Sequence, residues 1–213
     1  MGPWARWMAA TALSVLFSWA SAAGDDGWGA YQRQDYATAQ RLFQGGAERG
    51  DRLAQFNLAM MMMRGEATEV NPRIALSWLA SAAELGLPQA QYNLALLYES
   101  GYMVPRSQAV ACEWFRRAAS QGHAAAQESL ATQYYLGRGI EQDSAQAALW
   151  YERAADNGEL ASQYIIASMY EHGDGVERDL RRAVHWYVQA ARQGDPVARV
   201  KAMDLNKRIL AGR

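Results

Sequence analysis

The chain has a single cysteine, Cys112, among 213 residues. A disulfide framework is therefore excluded, and stability must come from packing. Histidine is nearly as scarce: His123, His172 and His185 are the only three. They form no H-x-x-x-H pair, and with no ligand-spaced cysteine the usual zinc arrangements are absent. Neither sign of charge dominates, with 21 basic residues against 22 acidic. A chain so balanced gives no electrostatic reason to expect nucleic acid. Nucleophile elbows, phosphate loops and dinucleotide fingerprints are missing, since the short "GRG" and "GDG" stretches follow no strand. No second carboxylate recurs at a paired position, as general acid–base hydrolysis would require.

One apolar run does occur, from Trp7 to Trp19. It is shorter than the roughly 20 residues a membrane helix needs. Arg6 precedes it and Ala20, Ser21 and Ala22 follow, which is the pattern of a secretory signal peptide. Cleavage is expected after Ala22, giving a periplasmic or secreted bacterial protein with residues 1–22 removed. No cysteine follows the cleavage region, so a lipid anchor is not expected. Without Arg6, 20 basic residues face 22 acidic ones, a formal charge of −2.

What the chain has in abundance is a period. Trp78, Trp114, Trp150 and Trp186 are each 36 residues apart. The same step relates Gly50, Gly86, Gly122, Gly158 and Gly194, and also Gln55, Gln91, Gln127 and Gln163. Internal repetition at this spacing signals stacked structural units. Full units are expected at 51–86, 87–122, 123–158 and 159–194. Residues 23–50 read as an N-terminal capping unit with a shortened first helix, and 195–213 as a C-terminal capping helix.

Each unit carries two helical stretches. The first, for example Pro88 to Ser100, has Ala90, Leu94 and Tyr98 on one stripe and ends at a glycine, Gly101. An N-cap candidate then recurs at one fixed place, as Asn71, Ser107, Asp143 and Asp179. Pro72 sits where the first helical position tolerates proline. The second helix bears the tryptophan and then an alanine pair such as Ala118 and Ala119, small enough for close helix approach. A hairpin of this kind has apolar faces needing neighbours on both sides.

The pattern "AQxxLAxxYxxG … GxGVxxDxxxAxxWYxxAAxxG" resembles the Sel1-like repeat, a relative of the tetratricopeptide repeat. "GRGIEQD" and "GDGVERD" carry its loop glycines, whereas "GEATEVN" and "GYMVPRS" depart from it. The resemblance implies an all-α, right-handed superhelical solenoid of helical hairpins. It also implies a non-catalytic adaptor, often in cell-envelope processes, with a protein or peptide partner and no cofactor. Some exported relatives are cysteine-rich hydrolases acting on cell-wall-active antibiotics, but those carry cysteine pairs in each repeat.

Four consecutive methionines, Met60 to Met63, stand out against this background. Met62 takes the core seat of Tyr98, Tyr134 and Tyr170, and Met61 a seat partly facing the neighbouring helix. In tetratricopeptide-like solenoids the remaining first-helix seats line a concave face, and the i, i+4, i+7 spacing is consistent with one stripe. The expected groove residues are Phe56, Met60, Met63, Tyr92, Leu96, Glu99, Glu128, Thr132, Tyr135, Tyr164, Ser168 and Glu171. Open apolar patches mark partner sites, and methionine and tyrosine suit adaptable interfaces. Packing of the same stripe against a cap or neighbour is the plainer alternative.

Met60 and Met63 provide two thioethers on one face, but no third soft ligand lies nearby, so no metal is expected. Cys112 falls in an apolar seat and is expected to be a buried thiol. A glycan or peptidoglycan fragment is the alternative occupant of an aromatic groove with nearby carboxylates. Self-association through a poorly capped end is a further expectation.

Overall fold

The computed structural model describes residues 25–68 and 71–212. The expected signal peptide at 1–22 lies outside the described residues. Eleven helices and no strand occur among those described. They are α1 (Asp25–Gln32), α2 (Tyr36–Glu48), α3 (Arg52–Arg64), α4 (Pro72–Glu84), α5 (Pro88–Ser100), α6 (Gln108–Ser120), α7 (Ala124–Leu136), α8 (Ser144–Asp156), α9 (Leu160–His172), α10 (Leu180–Arg192) and α11 (Pro196–Ala211). The chain divides into two compact units, one ending at Ala90 and one beginning at Gln91. Consecutive helices pack on each other, α1 through α4 in the first unit and α6 through α11 in the second.

The caps fall where the repeat spacing puts them. Asn71 Oδ1 accepts from the backbone N–H of Arg73 and Ile74, and Asp179 Oδ1 from Arg181 and Arg182. Ser107 and Asp143 do the same for α6 and α8. The N–H of each later cap residue donates back to the preceding tyrosine carbonyl: Ser107 to Tyr98, Asp143 to Tyr134, Asp179 to Tyr170. One hydrogen-bonded loop is thus built three times from three different sequences.

Gly139 and Gly175 show why two of those loops need a second glycine. Both have positive φ, at 73° and 68°. A Cβ at Gly139 would come within 2.3 Å of the Gln108 backbone, and one at Gly175 within 2.1 Å of Ser144. Each loop tip therefore rests on the start of a helix one repeat earlier, closer than any side chain allows. At the corresponding seat of the "GYMVPRS" loop, Met103 keeps the left-handed conformation, with φ 64°. The sequence departs there while the backbone does not.

In the first unit the core gathers Phe43, Leu58, Met61 and Met62 around buried alanines. Three of the four methionines in question, Met60, Met61 and Met62, are buried, at 7%, 1% and 7% exposure. In the second unit Tyr151, Ile166, Tyr170, Trp186, Tyr187 and Leu205 share one core with interleaved alanines. Cys112 is buried with its thiol free, and burial raises its pKa. That environment makes it a small apolar side chain rather than a nucleophile.

Buried glutamines stitch repeats together. Gln127 Nε2 donates to the Ala119 carbonyl at 3.2 Å, and Gln163 Nε2 to that of Ala155 at 3.2 Å. Their side-chain oxygens accept from Asn157 and Gln193, 30 residues later, at 2.8 and 2.9 Å. Gln55 makes the first bond, to the Ala47 carbonyl at 3.2 Å. Its oxygen, however, is buried without a partner. The donor's seat in that repeat is occupied by Leu85.

Among the described residues no helix is long and apolar enough to cross a membrane.

Candidate functional site

In the first unit, Phe56 and Met63 are half-buried, Met63 packing against the core. Met60 departs from the expected open seat, being only 7% exposed. Methionine, unbranched and with three rotatable bonds, is suited to filling irregular gaps in a packed surface.

In the second unit, Tyr92 and Leu96 are half-buried. The ring of Tyr92 stacks on His123 with centroids 4.7 Å apart and tilts against Phe115 at 5.8 Å. Glu99 accepts from Gln133 Nε2 at 2.7 Å, and Glu128 from Ser162 Oγ at 3.0 Å. Glu171 is the second departure, only 8% exposed. It accepts from the Tyr187 hydroxyl at 2.9 Å and from Lys201 Nζ at 3.2 Å, with Arg208 at 3.7 Å. Burial opposes its ionisation, but the Tyr187 hydroxyl and the Lys201 ammonium outweigh it and lower its pKa. The capping helix α11 supplied two cations, so Glu171 became an internal ion pair rather than a groove residue.

Three of the expected groove residues do meet, around a cleft of about 450 Å³ formed by α7, α8, α9 and the loop after α9. Tyr135 lines it from the end of α7, 38% exposed. Tyr164 and Ser168 line it from α9, one turn apart. Ring packing on Tyr187, edge-on with centroids 5.2 Å apart, holds Tyr164 in place. Thr132 does not line the cleft but acts through Tyr151, whose hydroxyl lies 2.9 Å from its Oγ1. The cleft is completed by Tyr151, Ile165, Met169, His172 and Asp174.

Sequence reasoning missed these five as cleft residues. Tyr151 belongs to a second helix and Asp174 to a loop, so neither shares the periodic stripe. The Tyr135 hydroxyl faces the Asp174 carboxylate, whose accepting oxygens and negative charge raise the tyrosine pKa. His172 Nδ1 lies 2.8 Å from the Ser168 carbonyl oxygen. Nδ1 must donate there, which leaves Nε2 an acceptor in the neutral ring.

A larger cleft, about 590 Å³, lies beside the start of α10. Two of the three arginines that line it, Arg178 and Arg182, already have partners for their side chains. Arg178 Nε donates to the Glu171 carbonyl at 3.0 Å, and Arg182 pairs with Glu152 while covering the Tyr170 ring at 4.2 Å. It is a consolidated surface, and the tyrosine cleft is the better candidate. Among the described residues no group of three His, Cys, Asp or Glu is placed to hold a metal ion.

The Sel1 repeat model matches residues 20–51, 52–87, 88–123, 124–159 and 160–195, so the chain belongs to the Sel1 repeat family. Such repeats generally mediate protein–protein interaction and form non-enzymatic scaffolds. Among solved structures, the chain resembles a Sel1 repeat protein from Oxalobacter formigenes, with 31% identity and a TM-score of 0.79 over 85% of this chain and 74% of that one. It also resembles a protective antigen of uropathogenic Escherichia coli with an SLR fold, at 33% identity and a TM-score of 0.79. That match covers 86% of this chain but 40% of the antigen. An immunity protein from Pseudomonas aeruginosa shares the fold at 22% identity, with a TM-score of 0.51. Among curated proteins none matches the chain.

Proposed function

We propose that this protein is an exported, non-catalytic scaffold that holds a segment of a partner protein in the tyrosine cleft of its second unit, acting in the cell envelope. The observation that carries this reading is the cleft itself. Three tyrosines, a histidine and a carboxylate converge on it, and the buried core holds the rings of Tyr151 and Tyr164 while Tyr135 stands exposed at its side. Rigid aromatic rings with polar tips are favoured at interfaces because they offer large area at low entropic cost. The signal-peptide pattern at 1–22 supports export.

The test is affinity capture from the exported fraction with wild type and with the pair Tyr135→Glu and Ser168→Arg. Wild type is expected to retain a defined partner that the double variant loses, both proteins melting at the same temperature. A folded double variant that still captures the partner places the interface elsewhere. N-terminal sequencing of the exported protein is expected to begin at Ala23. The tyrosine rings beside Asp174 also suit a cell-wall glycan, and calorimetry with soluble peptidoglycan fragments separates that reading.

A further inference from the structure

We infer that the cleft recognises a cation: a lysine or arginine side chain of the bound segment, its charge set against Asp174 and its aliphatic stem over the tyrosine rings. This rests on the partner-binding reading above and names the chemistry of the occupant. No lysine or arginine lines the cleft, and Asp174 is the one carboxylate that does. Among the described residues Asp174 has no salt-bridge partner, its neighbour in the cleft being the Tyr135 hydroxyl. A carboxylate with a single hydroxyl beside it keeps lone pairs free for N–H donors. His172 adds a further acceptor through Nε2, since its Nδ1 is tied to the Ser168 carbonyl. The acceptors on offer match a guanidinium or an ammonium, which have donors and no acceptors.

The walls agree with this. The exposed ring of Tyr135, with the half-buried Tyr164 across the cleft, offers aromatic surface that attracts a cation electrostatically. Ile165 and Met169 give the methylene stem an apolar bed, the usual way long basic side chains lie on a surface. Glu128 adds to the field, being close enough to Tyr151 to help raise its pKa after burial, the larger cause. A space of about 450 Å³ takes a whole side chain with neighbouring backbone, beyond the needs of a small inorganic ion. An acidic segment would meet Asp174, with Glu128 nearby, and no lysine or arginine in the cleft to receive it.

A random octapeptide library selected on the full exported chain tests this, with Asp174→Asn and the pair Tyr135→Ala and Tyr164→Ala in parallel. Wild type is expected to enrich lysine or arginine at one position. The best peptide should bind about tenfold more weakly to Asp174→Asn, and as weakly once its basic residue is replaced by norleucine. Melting curves establish that the variants are folded. If the peptides selected by wild type lack a basic residue, or bind the norleucine form equally well, yet need the two tyrosines, the cation is wrong and the cleft reading stands. If wild type and the tyrosine pair select the same peptides, both fail.

Discussion

Single residues decide how well each copy of the repeat is built. Gln55, Gln127 and Gln163 occupy one seat, but only the latter two have both ends of the amide satisfied. A buried acceptor without a partner costs about 1–3 kcal/mol. Leu85, 49% exposed, stands where the other repeats place Gln121, Asn157 and Gln193. Leu85→Gln is therefore expected to raise stability by about 1 kcal/mol, seen as a shift of roughly 2–4 °C in thermal midpoint. A lower midpoint would mean that Gln55 Oε1 already has a solvent partner.

His123 is a second residue whose role depends on place: its Nδ1 caps α7 by accepting from the Ala126 N–H at 3.2 Å. Burial lowers its pKa below the ordinary value, because the folded site disfavours the charged ring. Below about pH 6.5 the unfolded chain takes up a proton that the folded chain resists. This residue's contribution is thus complete above that pH and declines as pH falls toward the depressed folded value. His123→Asn keeps a neutral cap and is expected to flatten the fall in urea midpoint between pH 7.5 and pH 5.5. Equal slopes in the two proteins would remove His123 as the source.

At the scale of elements, helix length and loop geometry recur while the residues that make them vary. Nine successive helices, α2 to α10, are each 13 residues long. The first helices of the repeats are capped by Asp51, His123 and Asp195, whereas Glu159 at the same place makes no side-chain cap bond. A carboxylate one methylene longer does not satisfy the same N–H groups. The loop glycines show the converse. Gly175→Ala drives a Cβ to within 2.1 Å of Ser144 backbone, so it should cost several kcal/mol or prevent folding, whereas Met103→Gly relieves a left-handed conformation and should gain about 1 kcal/mol. Denaturant unfolding of the two variants gives opposite signs if the loop geometry is as described.

Across the whole molecule, position in the array matters as much as residue type. Met203 falls in the seat of Ala131 and Ala167, which are fully buried under second helices. On α11 no second helix follows within the described residues, and Met203 is 58% exposed beside Val200 at 66%. The same side chain should have opposite consequences at the two places. Ala167→Met is expected to cost about 1–3 kcal/mol through overpacking, while Met203→Ala stays within about 0.5 kcal/mol. Calorimetric melting of both would show it.

The 36-residue step of tryptophan, glycine and glutamine, with the recurring caps, determined the repeat, its helices and the loops between them. Those features are local: a cap, a glycine or an apolar stripe acts within a few residues, so it is written in the chain where it acts. The cleft is not local. Tyr135 and Tyr151 come from the first and second helices of one repeat and Asp174 from a loop of the next, and no sequence period relates them. Likewise Met60 and Glu171 share a stripe with open positions, yet both are buried, Glu171 beneath cations from α11. Burial is a property of what packs on a residue, and only the folded chain decides that.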